Sequence, residues 1–130
     1  MRFWLNRGVD GFRVDVMWYL IKDEHWRDNP VNPDYLPGRM SPHDELVDAY
    51  QSDLPEIHQV VAEMRAVLDD YGERVMIGEV YLPVTRVVEY YGIGAAGAHL
   101  PFNFHLITDP WEARRLQVTM DMYEGRLPAS

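Results

Sequence analysis

The chain contains no cysteine in its 130 residues. That excludes a disulfide framework and thiolate catalysis, and it fits a reducing, cytoplasmic setting. Positive charge is also scarce: 12 Lys and Arg stand against 21 Asp and Glu, a net charge of −9. Phosphate and anionic-lipid partners require positive charge, so neither nucleic acid nor a membrane surface is an expected partner. No apolar run approaches the ~20 residues that cross a bilayer, and the opening residues Met1 to Gly8 lack the apolar core of a signal peptide. There is no internal repeat and no low-complexity tract. His25, His43, His58, His99 and His105 fall into no HExxH or other ligand spacing. Asp28, Asn32 and Asp34 lack the turn glycine and final glutamate of a calcium loop, so a solvated loop is expected there. No metal site and no cofactor are expected.

What is present is an ordinary globular composition, 47% hydrophobic, at the size of a single domain. Met1 to Arg7 reads as the tail of a helix stopped at Gly8. Val9 to Val16 reads as a strand with Phe12, Val14 and Val16 on one face. Trp18 to Ser52 is a long irregular stretch with four prolines, and loops of such length are commonly functional. Its aromatics Trp18, Tyr19, Trp26 and Tyr35 read first as packing against the neighbouring rim, and second as stacking surfaces for sugars. From Asp53 to Gly72 a single apolar stripe at helical spacing predicts a helix. Asp53 and Glu56 there have capping-box spacing. Val75 to Gly78 reads as a strand buried on both faces, with Glu79 at its end. A short helix over Val84 to Tyr91, stopped by Gly92, comes next, and then a third strand from Leu100 to Phe104. Asp109-Pro110-Trp111-Glu112 opens a last helix with Pro near its start. Met17, Met64, Met76, Met120 and Met122 read as core filling.

Strands alternating with helices predict right-handed βαβ units and a parallel sheet in an α/β fold. Periodicity leaves open a doubly wound sheet or part of a (β/α)8 barrel. In both, ligands bind at the carboxyl ends of the strands, where Asp15 and Glu79 fall. Strands lie about 4.7–4.9 Å apart, so two carboxylates at one level on adjacent strands match the roughly 5–5.5 Å that a retaining glycosidase needs. Arg13 shares the face of Asp15 and favours its ionised form, as a nucleophile requires. The like charge of Asp15 favours a protonated Glu79, as a general acid requires. Taken alone, Arg13 and Asp15 read equally well as an exposed ion pair. The joint placement with Glu79 at consecutive strand ends favours catalysis.

These segments, "DGFRVDV" and "VMIGEVY", resemble two motifs of the α-amylase family of glycoside hydrolases, in particular its α-glucosidase and oligo-1,6-glucosidase branch. "LIKDEHWRDNPVNPDY" and "HLPFNFHLI" are similar to that branch as well, so the resemblance covers essentially the whole chain. It implies Asp15 as nucleophile, Glu79 as acid/base and Arg13 as the residue that orients the nucleophile. It associates Val16 with tolerance of α-1,6 linkages through contact with the substrate. It also implies a disaccharide or oligosaccharide α-glucoside as substrate. The family's sugar-binding motif on the preceding strand and its third carboxylate have no counterpart here. The expectation is therefore a partial (β/α)8 barrel of about three βα units resembling strands four to six, with residues 1–130 a fragment of the catalytic domain and the remainder of the barrel missing. Such a chain is expected to be inactive alone. Alternatives are a transglycosylase or sucrose-handling isomerase of the same family, or a non-catalytic truncated product.

Overall fold

The computed structural model describes residues 1–102 and 104–127. A short helix α1 (Arg2–Leu5) leads through Gly8, left-handed at φ 90°, into strand β1 (Gly11–Val14). Strand β2 (Val75–Glu79) and strand β3 (Leu100–Phe102) follow, each parallel to the one before, in the order β1-β2-β3. The connections carry helix α2 (Ile57–Asp69) and helix α3 (Val84–Val87), the latter continued by a 3-10 turn to Tyr91 and ended at Gly92. Helices α4 (His105–Thr108) and α5 (Ala113–Glu124) close the chain. Among the described residues no helix is long and apolar enough to cross a membrane.

The register divides the sheet into two faces. Arg13, Ile77 and Leu100 are partners on one face, and Phe12 with Met76, then Val14 with Gly78 and Pro101, lie on the other. The second face is the packed one. Met76 is fully buried there with Met17, Ile57, Val61, Leu68, Val80, Val87 and Tyr90. Gly78 belongs to it for a steric reason: a Cβ would lie 2.7 Å from the Met17 sulfur, which occupies the space instead. The helices cover this face alone, so β2 is buried on one side rather than both: Val75 is 41% exposed and Ile77 only partly buried.

Other boundaries differ from expectation for local reasons. The helix expected from Asp53 begins at Ile57, because Asp53 is left-handed at φ 52° and its carboxylate is engaged elsewhere; Asp53 and Glu56 form no capping box. The third strand ends at Phe102, and Phe104 already stands at the start of α4; Asn103 lies outside the described residues. The last helix starts at Ala113, beyond Pro110. On α5 the residue that packs inward is Tyr123, whose hydroxyl meets Tyr91 at 3.0 Å and Pro101 O at 3.2 Å. Met120 and Met122 stay on its exposed side, so they do not fill the core. The long stretch after β1 is folded back on itself by a bridge between Val31 and Leu46. The Asn29 side chain adds to it, accepting from the backbone of Ala49 and Tyr50.

Candidate active site

Side chains two apart share a face, so the uncovered face of the sheet carries Arg13 and Asp15, Ile77 and Glu79, Leu100 and Phe102. Asp15 follows β1 directly and Glu79 is the last residue of β2. Both therefore stand at the carboxyl ends of adjacent parallel strands, as the alternation pattern implied. One guanidinium joins them. Arg13 Nη1 donates to Asp15 Oδ1, and Nη2 donates to Glu79 Oε2. The guanidinium carbon also lies 5.6 Å from the Phe102 ring centroid, on the far side of Glu79. The two acids differ in setting: the Asp15 side chain is 68% exposed and that of Glu79 is 16% exposed. The Asp15 carboxyl is held below the usual carboxylate range, first by a hydrogen bond with Glu79 and then by Arg13.

Val16 departs from its expected place. It is left-handed at φ 40° and 41% exposed, outside β1 and off the face of Phe12 and Val14. Its backbone begins the tight turn Met17–Tyr19, which drops Met17 and Trp18 into the core immediately past the carboxyl end of the strand. A β-branched residue is costly in that conformation, and such positions cluster at functional sites.

A cavity of about 980 Å³ opens between the long stretch after β1 and the segment after β2, and neither acid lines it. Trp18, Tyr19, Asp48, Asp53, Tyr81 and Arg86 are among its walls. The Tyr19 hydroxyl donates to Asp48, which also accepts from Asn29 at 3.1 Å; burial and this bond push the hydroxyl up to about 12. Of Trp18, Tyr19, Trp26 and Tyr35, the first two line this cavity, whereas Trp26 is 84% exposed and packs against no rim. Two further aromatics at this end of the sheet were not anticipated. Tyr81 stands two residues past Glu79, edge-on to Phe104 at 5.4 Å, and Phe104 lies 5.0 Å from Phe102. The signal for Tyr81 was the alternation of "GEVY", which returns it to the side of Glu79. No spacing rule brings in Phe104, which arrives from across the sheet.

A pair of acids bridged by one arginine, with aromatic rings on the segments that follow each of them, is suited to cleaving a bond between sugars. The catalytic-domain model of the alpha-amylase family matches residues 1–126. The chain belongs to the alpha-amylase family. Within that family it falls among α-glucosidases and maltases: it is 35% identical to an alpha-glucosidase of Culex pipiens over 98% of this chain, and 38% identical to a salivary alpha-glucosidase of Anopheles gambiae over 83%. A human amino acid transporter heavy chain is 33% identical over 82%. Among solved structures, the alpha-glucosyl transfer enzyme XgtA superposes with a TM-score of 0.82 at 27% identity, covering 99% of this chain and 25% of that enzyme. Membership makes the three-stranded parallel sheet a segment of a (β/α)8 barrel rather than a doubly wound sheet. The chain spans 23% and 20% of the lengths of the two mosquito proteins.

Proposed function

We propose that this chain supplies the nucleophile and the acid/base of a retaining α-glucoside hydrolase. The carrying observation is the Arg13 bridge between Asp15 and Glu79 at adjacent strand ends. Asp15 attacks the anomeric carbon as Glu79 gives its proton to the departing glycosidic oxygen. The carbon–oxygen bond breaks and a glycosyl ester forms on Asp15. Glu79, now a carboxylate, takes a proton from water, whose oxygen displaces Asp15 and restores both groups. Arg13 keeps Asp15 ionised and aimed. The cavity lined by Tyr19 and Tyr81 receives the leaving sugar, and Val16, exposed one residue past Asp15, contacts the substrate. The three strands correspond in this reading to the fourth to sixth of the barrel, and turnover needs residues beyond those of this chain. The substrate is a short α-glucoside. A cytoplasmic setting and the absence of nucleic-acid or membrane partners belong to the same proposal, supported by the cysteine-free, acidic composition.

Family membership alone would not carry this, since one relative is named as a transporter heavy chain. Transfer of the glucosyl unit to a sugar instead of water is the second reading, favoured by the likeness to an alpha-glucosyl transfer enzyme. The test is to introduce Asp15→Asn and Glu79→Gln into the whole protein and follow maltose and p-nitrophenyl α-glucoside. Asp15→Asn should abolish turnover, and Glu79→Gln should lower it by about 10²–10⁴-fold for maltose, with a smaller loss for the better leaving group. Full activity in either variant refutes the assignment. Product analysis with sucrose and maltose separates hydrolysis from transfer.

A further inference from the structure

The hydrogen-bonded ladder between β1 and β2 ends at the pairing of Val14 with Gly78, one residue short of both acids. Beyond that point the sheet no longer sets the distance between the two segments. Besides Arg13, which bonds the two acids themselves, Asp53 touches both exits. Its backbone N–H donates to the carbonyl of Trp18, three residues past Asp15, at 2.8 Å. Its Oδ2 accepts from Arg86 Nε at 2.7 Å and its Oδ1 from the Tyr90 hydroxyl at 2.8 Å, and both partners lie on the helical segment that follows Glu79. Arg86 is fixed in turn by Glu89 at 2.6 Å. The Asp53 side chain is 15% exposed, and Tyr90 is 1% exposed. The left-handed backbone of Asp53, at φ 52°, is what lets its N–H and its carboxylate point to opposite segments. Aspartate tolerates that conformation better than most residues.

We propose that Asp53 is a positioning residue that fixes the spacing of Asp15 and Glu79 by tying the chain leaving β1 to the chain leaving β2. Asp53 itself touches no reacting atom; its role presupposes that Asp15 and Glu79 are the reactive pair. Alanine at position 53 removes both acceptors and leaves a left-handed backbone without a side-chain oxygen. Asparagine keeps one acceptor and tolerates the backbone.

The test reads the pair directly rather than through turnover. Carbodiimide labels protonated carboxyl groups, so labelling of the Asp15 peptide across the acid range, followed by mass spectrometry, gives the midpoint of that group. In the unmodified protein Asp15 should be labelled only below the ordinary midpoint of about 3.9. Asp53→Ala and Arg86→Met should bring it up towards about 3.9, and Asp53→Asn and Tyr90→Phe only part of the way. An unchanged Asp15 midpoint in Asp53→Ala with native circular dichroism overturns the role. If Asp53→Ala unfolds, Arg86→Met and Tyr90→Phe decide in the same way, since Phe keeps the buried ring of Tyr90. Because no hydrolysis is measured, the two failures are separable: a protein without glucosidase activity that still shows the shift refutes the proposed reaction and leaves Asp53 only as the tie that sets the spacing of the two carboxyls.

Discussion

His99 joins the central and third strands in an unusual way, and the consequence can be measured. Its backbone N–H donates to Met76 O at 3.1 Å, while its own Nδ1 accepts from Met76 N–H at 3.1 Å. A side chain thus completes the ladder one residue before β3 begins. Nδ1 accepts only when unprotonated, which places the hydrogen on Nε2. Burial first, and the charge of Arg65 second, hold the imidazole below its ordinary 6.5, with Asp69 opposing. Met76 is fully buried, so removing the acceptor strands a buried donor. His99→Ala should therefore cost about 1–3 kcal/mol. His99→Asn, whose Oδ1 occupies the place of Nδ1, should cost under about 1 kcal/mol. The sign with pH follows from linkage. A folded-state value below 6.5 means the unfolded chain binds the proton first, so the contribution is complete above 6.5 and is lost as pH falls below it. Urea unfolding followed by circular dichroism, at fixed protein concentration, should show the unmodified chain losing stability relative to His99→Asn as pH drops. Comparing the two cancels every group that is common to both. Parallel pH profiles, or equal losses in the Ala and Asn variants, would refute the bond.

Val16→Thr should shift the ratio of isomaltose to maltose hydrolysis in the whole protein; an unchanged ratio would leave Val16 with its backbone role only. Tyr19, held up to about 12, contributes stability that is present below the ordinary tyrosine value of 10.0 and lost as pH rises from there towards about 12. An ultraviolet titration compared with Tyr19→Phe should find that late step, and Asp48→Ala should move it down; no difference would discount the hydrogen bond. Purified as these 130 residues, the chain should self-associate, since β1 and β3 each present an edge unpaired among the described residues and Leu100 is 51% exposed. It should also release no p-nitrophenol from p-nitrophenyl α-glucoside. A soluble monomer with turnover abolished by Asp15→Asn would show that three strands suffice.

The acids were legible because strand alternation and parallel direction are both local signals, and together they fix which face and which end a side chain occupies. Arg13, Asp15 and Glu79 needed nothing else. The helix start was not legible, because Asp53 carries the right residue type and spacing for a cap yet bonds Arg86 and Tyr90, more than thirty positions later. A distant partner outcompetes a local one without leaving a trace in the spacing. Val16 failed similarly: alternation extends a strand until something bends it, and here the bend comes from the turn that buries Met17 against Gly78. The aromatic edge made by Tyr81 and Phe104 joins two strands' ends, so only the assembled sheet brings it together.

The two acids are mounted unequally. Glu79 is still within the ladder, paired with Phe102, whereas Asp15 stands just past the end of its own strand and runs straight into a left-handed valine. Backbone inside a hydrogen-bonded ladder opens less readily to exchange and fluctuates less than backbone beyond its end. In the proposed reaction the proton donor has only to face an oxygen, while the nucleophile must follow a carbon atom as a bond to it forms and later breaks. The compliant mounting therefore belongs to the group that has to travel, and amide exchange should be faster at Asp15 than at Glu79.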